Sequence, residues 1–577
     1  MKIKHNELKN REIPNIISIS EKGLDFNIKQ NKKNKITSKE SIKTNKDNIM
    51  TLEKEKIHKA NTFTKKVNKK QNIDKYVENK YLNFQSFFHI FAFILLDFFL
   101  PLSLSYKTRK LYSTSIVNMF IRNSGKNKIL SQNFQTSPDK IIINSMVVDS
   151  KTISYKFTTS NNTIQLIWDN QITNCSYMFS GCKTITGLDF SNFNSSNVVD
   201  MNQMFYQCNE LEYLNISNLD TSSVTNMNMM FFGCLKITSI DISNFDTSKV
   251  VNMDALFDYC ENIKSLNLES FNTSSAVTMR SMFMGCTKLI SINLSNFNTS
   301  LVTRMSFMFK DCESLKYLDL SPIDTSKVKI MKGMFDGCTN LEEINLQNFN
   351  TSSATDIMWM FQGCSKLKSL DLSSFDMSKV KYAQNMFSNC ENLEFIKFNN
   401  SNKMKAAINV TQMFYNCQKL SSLDLSFIYS SKITLMQEMF YNCYNLKIID
   451  MQNLDTTSVE NMNNIFSGCW SLQFLNIYSF TSNSDLNFNS IVETLPYNII
   501  YCLKDYDKTQ NIISSMNQKY STNNCSYICN YENKKIINET NTCIDNCSQD
   551  KIIFMNSIIS VMIFVLLGLN LQRIIYV

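Results

Sequence analysis

The chain has 577 residues, a formal net charge of +9 and 43% hydrophobic residues, enough material for several folded and membrane segments. Its three histidines, His5, His58 and His89, all lie near the N-terminus. Ser-His and Cys-His nucleophile pairs, and His-ligated metals, are therefore excluded from everything downstream.

The positive charge is concentrated in residues 1–86, where 21 Lys and Arg face 10 Asp and Glu. This stretch is rich in Lys and Asn, lacks apolar periodicity, and reads as a disordered basic tail on the cytoplasmic side of a membrane. It carries no recognised nucleic-acid motif and no interleaved aromatics, so nucleic acid is not an expected partner. Residues 87–105 are mostly Phe, Ile and Leu. They read as a signal anchor with its basic flank inside, or as a secretory signal cut near Ser103-Leu104-Ser105. Asp97 weakens the span, since a central aspartate costs about 3 kcal/mol on insertion scales. Residues 106–143 read as a linker. Residues 144–500 are assigned to a solenoid with its end caps, 144–174 forming an irregular first turn and 481–500 the closing cover.

The solenoid is announced by a cysteine every 26 residues, from Cys182 through Cys208 and Cys234 to Cys390. Cys417 arrives one residue late, beside an insertion near Asn399-Asn400-Ser401, and Cys443 and Cys469 resume the count. Each cysteine follows a Phe by three residues, from Phe179 to Phe466. A period of this length marks units that bury their apolar faces only against neighbours. In the unit at Cys208, Leu211, Leu214 and Ile216 suit a short strand with one buried face. Val224, Met227, Met230 and Phe231 recur at spacings of three, six and seven, which predicts a short helix. Between them, steps such as Asp220-Thr221-Ser222 and Asp246-Thr247-Ser248 read as helix N-caps. Gly or Asn usually precedes the cysteine and reads as a left-handed C-terminal cap. The predicted fold class is an α/β solenoid, one short strand and one short helix per unit.

The run Cys-Asn-Glu-Leu-Glu-Tyr-Leu-Asn-Ile-Ser at 208–217, preceded by Met-Phe-Tyr-Gln at 204–207, resembles the BspA-like leucine-rich-repeat surface proteins, in their subgroup with a 26-residue repeat. The resemblance implies a right-handed leucine-rich-repeat solenoid exposed on a cell surface, in several cases linked to adhesion. On such a solenoid one outward residue per strand would line the concave face: Asp189, Asn215, Asp241, Asn267, Asn293, Asp319, Asn345, Asp371, Asp424 and Asp450, with Lys397 interrupting. This strip offers a binding surface for a basic or glycan partner, or for Ca2+. The competing account, which repetition favours, is a row of side chains bonded to one another and to strand ends.

The stacked repeat cysteines are expected to be buried thiols in preference to bridged pairs, because pairing would distort an even stack. In the polar stem, residues 501–551, Cys525, Cys529, Cys543 and Cys547 form two x3 pairs and are disulfide candidates, a four-thiolate zinc site being the alternative. Residues 552–571 form an uncharged apolar run followed by Arg573 and read as a transmembrane helix. The sequence thus points to a non-enzymatic plasma-membrane protein with extracellular repeats, no cofactor, and a protein or glycan partner on another cell or matrix. Sequons such as Asn272 and Asn298 permit glycosylation. Lateral self-association into a coat is the alternative; an intracellular scaffold and a surface hydrolase are disfavoured.

Overall fold

In the computed structural model, residues 114–399 and 401–478 are described continuously, followed by 480, 491, 495–497, 499–502, 514 and 516. The basic tail, both apolar spans and Cys525, Cys529, Cys543 and Cys547 lie outside the described residues. Among the described residues, no helix is long and apolar enough to cross a membrane.

The folded part begins earlier than the sequence suggested. Eight strands build its N-terminal end: β1 Ser115–Ile121, β2 Gly125–Lys128, β3 Lys140–Ile143, β4 Met146–Val148, β5 Ser154–Phe157, β6 Asn162–Trp168, β7 Gly187–Asn192 and β8 Tyr213–Asn215. Six of them form one sheet in the order β4-β3-β6-β1-β7-β8. The alternation along β1 buries Val117, Met119 and Ile121, and that along β6 buries Ile164, Leu166 and Trp168. β1 pairs antiparallel with β6 on one side and β7 on the other, while β7 and β8 run parallel. Residues 115–143, assigned to the linker and ahead of the expected irregular turn, are therefore part of an antiparallel cap that continues into the first coils.

From β7 onward the chain is a stack of coils. Strands recur on one face, pairing in parallel at Tyr317–Asp319 with Glu343–Asn345, Ser369–Leu372 with Phe395–Phe398, and Ile448–Asp450 with Phe474–Asn476 and Ile500–Cys502. The expected helices are absent from the repeat units. In their place each coil runs through a series of tight turns, seen between Met201 and Cys208. The amides of Met204, Tyr206 and Cys208 donate to carbonyls three residues back. Those of Met201, Gln203, Phe205 and Gln207 donate to Asn226, Asn228, Met230 and Phe232 of the next coil, at 2.6–3.0 Å. An α-helix would send every amide four residues back and leave none for a neighbour.

Two left-handed residues per coil enforce this path. One precedes the cysteine, as the Gly and Asn preference predicts at Gly181 and Gly233; Gln207 and Tyr259, which depart from that preference, adopt it as well. The other lies five before it, at Gln203, Met229, Ala255, Ser281 and Phe307, where the residue types gave no warning. A left-handed residue costs roughly 1–2 kcal/mol when it has a Cβ. The inter-coil bonds on either side offset that cost. Turns closing over three residues also bury every third side chain, so the spacing that predicted a helix is equally served by turns.

The core is a set of columns. Phe179, Phe205, Phe231 and their successors to Phe466 stack nearly parallel, ring centroids 5.2–6.1 Å apart. Each fully buried Phe contributes roughly 1.5–3 kcal/mol. The predicted N-cap steps are also turns. Thr221, Thr247, Thr273, Thr299, Thr325 and Thr351 are buried and donate Oγ1–H to a carbonyl of the following coil at 2.8–3.0 Å. The adjacent Asp or Asn accepts the amide of the residue two positions on, as Asp220 does from Ser222. These side chains satisfy turn and inter-coil amides where a helix start was expected.

Candidate recognition surface

The outward ladder on the strand face is assembled by the coils as the repeat requires. Asp189, Asn215, Asp319, Asn345, Asp424 and Asp450 are half-buried; Asp241, Asn267, Asn293 and Asp371 are exposed. Each closes an Asx turn. Ser243 donates N–H and Oγ–H to Asp241 Oδ1 at 3.2 and 2.7 Å, and Glu269 and Ser295 donate N–H to Asn267 and Asn293. The same bond is made at Asp319, Asn345, Asp371, Asp424 and Asp450. Three rungs are also tied sideways: Asn215 Nδ2 to Asp189 at 2.8 Å, Asn345 Nδ2 to Asp319 at 2.9 Å, and Lys397 Nζ to Asp371 at 3.0 Å. Much of the ladder thus has a structural task. In the central coils the bonds of Asp241, Asn267 and Asn293 run to their own turn residues.

Hydrogen bonding fixes the charge of this strip. The Ser243 hydroxyl and amide hold the Asp241 carboxyl below the usual range, and Ser321 does the same for Asp319. For Asp371, burial acts upward, but Ser373 and Lys397 outweigh it and the net shift is downward. At Asp241, Asp319 and Asp371 the strip therefore presents ionised carboxylates at neutral pH, beside amides and hydroxyls. Among the described residues no group of three or more His, Cys, Asp or Glu is placed to hold a metal ion.

The opposite, turn-lined face carries groups that sequence reasoning missed, because their columns follow no single residue type. Asp254 pairs with Arg280 at 2.8 Å, and Asp336 with Lys310. Asp258 is buried and its Oδ1 has no hydrogen-bond partner. Burial pushes its carboxyl up to about 7; the Tyr259 amide opposes this and the Asp311 charge adds to it. Lys332 sits over the ring of Trp359 at 4.3 Å. Trp470, 70% exposed, stacks on Tyr444 at 4.7 Å.

The twelve repeat cysteines and Cys175 are all buried and unbridged. From Cys208 to Cys469, each Sγ donates to the carbonyl of the preceding coil's Phe at 3.1–3.4 Å. Cysteine is apt here because it fills a small apolar site and still supplies a weak donor. Cys502, beyond the coils, is disulfide-bonded.

The family description "Mycoplasma protein of unknown function, DUF285" matches residues 143–239, 173–286, 234–318, 312–426 and 408–521, together more than half of the chain. The chain belongs to the DUF285 family. These overlapping matches follow the coils themselves, so what defines a DUF285 segment here is the stacked 26-residue unit. Among solved structures, the DUF285 chain is similar to a leucine-rich repeat protein from Eubacterium ventriosum, at 15% identity and a TM-score of 0.24, over 42% of this chain and 62% of that one. It is also similar to the chain of a TLR13–ssRNA13 complex, at 17% identity and a TM-score of 0.18, over 58% of this chain and 49% of that one. The matched part is thus less than two thirds of either structure's length. No curated protein matches the sequence.

Proposed function

We propose that this DUF285 protein is a non-catalytic recognition protein of the BspA-like kind, anchored in the plasma membrane with its coils outside the cell, and that it binds a protein or glycan partner through the strand face. The observation carrying this reading is the ionised, hydroxyl-rich strip whose central rungs, Asp241, Asn267 and Asn293, are exposed and bonded only within their own turns. A repeat array supports distributed recognition because adjacent coils present equivalent groups at about 4.8 Å intervals.

Two measurements test it. An epitope placed after Ser401 should be reached by antibody on unpermeabilised cells. The full chain on cells should bind host cells or matrix, and the combined Asp241→Ala, Asn267→Ala and Asn293→Ala variant should lose at least ten-fold in affinity while melting normally. Labelling that requires permeabilisation would remove the surface reading; unchanged binding by the variant would move recognition off the strand face.

Lateral self-association is the second reading, favoured by the edge strand β4, where Met146 is 58% and Val147 64% exposed. It predicts concentration-dependent assembly that Val147→Lys abolishes.

A further inference from the structure

One stretch of the strand face differs from its flanks in side chains, main chain and charge. In the outward column two residues before the Asp and Asn ladder, Tyr213 and Tyr317 are each 52% exposed, and the three coils between them carry serine: Ser239, Ser265 and Ser291. Alternation exposes these serines together with Asp241, Asn267 and Asn293, while Ile240 and Leu266 turn inward. Small side chains thus floor a strip closed at each end by a projecting ring. The two tyrosines stand four coils apart, about 19 Å at the strand spacing. Gly187, one coil before Tyr213, has no side chain to crowd that ring, which reaches within 3.4 Å of the place a Cβ would occupy.

The main chain of the strip is open as well. At its ends β8 pairs with β7, and Tyr317–Asp319 pairs with Glu343–Asn345. Between them, no backbone hydrogen bond joins Ser239–Asp241, Ser265–Asn267 or Ser291–Asn293 to a neighbouring coil, although bridges on the turn face hold the same coils in register. A ligand that displaces water from this floor must therefore supply both donors and acceptors, since main-chain groups left dry and unpaired are costly. Hydroxyl groups do both. Charge narrows the class further. Asp241, Glu269 and Asp319 outnumber Lys264 and Lys316 along the strip, which disfavours a polyanion.

We infer that the strand face from Tyr213 to Tyr317 is a trough for a neutral, unbranched glycan chain lying along the coil axis, one sugar ring per coil. The inference rests on the recognition reading above and names the chemical class of the partner. An extended chain of six-membered sugar rings advances by close to one coil spacing per ring, so successive rings meet equivalent pairs: Ser239 with Asp241, Ser265 with Asn267, Ser291 with Asn293. A peptide laid in the same direction advances about 3.4 Å per residue against about 4.8 Å per coil, and falls out of step within two residues. Rim hydroxyls of each ring donate to and accept from the serine hydroxyl and the ladder carboxylate or amide. At the ends, Tyr213 and Tyr317 each offer a flat apolar body to the C–H face of a ring and a phenol to its rim. The separation of the two tyrosines sets the capacity at about four rings.

The test titrates the full-length chain, by calorimetry, with linear neutral oligosaccharides of glucose, N-acetylglucosamine, mannose and galactose, from two to six rings long. At least one series should bind, with affinity rising ten-fold or more from two rings to four and less than two-fold from four to six. Ser265→Trp, which fills the middle of the floor, should abolish binding while the protein melts normally. Tyr213→Ala and Tyr317→Ala should each weaken binding of the four-ring ligand about five-fold, and Tyr382→Ala, on the turn face, should leave it unchanged. Silence across every series, affinity indifferent to chain length, or binding that survives Ser265→Trp would each overturn the trough. So would capture of an extended peptide by the same residues in place of any oligosaccharide. Loss of cell or matrix binding in the combined Asp241, Asn267 and Asn293 variant, with all oligosaccharides silent, would keep the recognition face and remove the glycan from it.

Discussion

The two long faces of the coils are built to different rules. On the turn-lined face, a parallel bridge links every successive pair of coils, from Asn174–Asp200 to Leu435–Asn461, whatever side chain occupies the position. On the strand face, pairing is intermittent. The coils at Ser239–Asp241, Ser265–Asn267 and Ser291–Asn293 form no strand, although all these residues are described. Backbone amides run the turn face, which therefore tolerates Asp, Asn, Thr, Arg, Ile and Tyr in one column. The strand face leans on side-chain turns, which leaves its outward groups available where coils loosen. Stability and the proposed recognition thus fall on opposite sides of the same unit.

The sharpest way to break this contrast is to attack the column behind the turn face. Phe257→Ala should cost about 3–5 kcal/mol in urea unfolding, because a ring stacked on both sides leaves a cavity the coils do not close. Thr273→Val keeps the shape of a buried side chain but removes the donor to the Asn298 carbonyl and the acceptor for its amide. A loss of about 1–3 kcal/mol is expected by the same measurement.

Asp258 gives the turn face a pH dependence opposite in sign to that of the strand-face carboxylates, which hydrogen bonding holds low. Its carboxyl is raised to about 7 in the folded chain from an ordinary 3.8, so folding favours the protonated form. Stability should therefore rise as pH falls from about 7 towards 5, and the penalty should be fully present above 7. Asp258→Asn should flatten that slope, and a slope identical in both proteins would remove the assignment. Asp241→Ala on the strand face should change stability by only about 0.5 kcal/mol, because the group is exposed and its turn bonds are local. A loss as large as that from Thr273→Val would erase the distinction between the faces.

Much of this arrangement is legible in the residues, for identifiable reasons. The cysteine and phenylalanine columns are visible because each position packs on its own copy, so composition at that position cannot drift. The left-handed residue before each cysteine shows through Gly181, Gly233 and Asn389, which that conformation favours. The second left-handed column does not, since Met229, Phe307 and Trp359 occupy it against their preference and inter-coil bonds hold them there. Helix and turn series share the three-residue spacing of Val224, Met227 and Met230, so periodicity cannot separate them. The cap escaped because its alternation at Val117, Met119 and Ile121 occurs outside the repeat, where nothing recurs to draw notice. For the candidate surface, the outward row from Asp189 to Asp450 was readable. Its Asx turns and sideways ties depend on side-chain geometry that spacing alone does not encode.

The aromatic column has a consequence for how such a chain can change length. Phe205 stacks on Phe231 much as Phe231 stacks on Phe257. Excising residues 209–234 would therefore bring together two surfaces that already fit. A gene encoding this protein can gain or lose whole coils by unequal recombination without inventing a new interface. Fractional changes need a place to be absorbed, and the late Cys417 shows one. Phe387 donates its amide to Met413, 26 residues on where earlier coils use 25, and Phe398 and Phe427 close together at 3.7 Å across the added residue. Reach along the array is in that sense a heritable dimension, adjustable in steps of one coil while the chemistry of each coil stays the same.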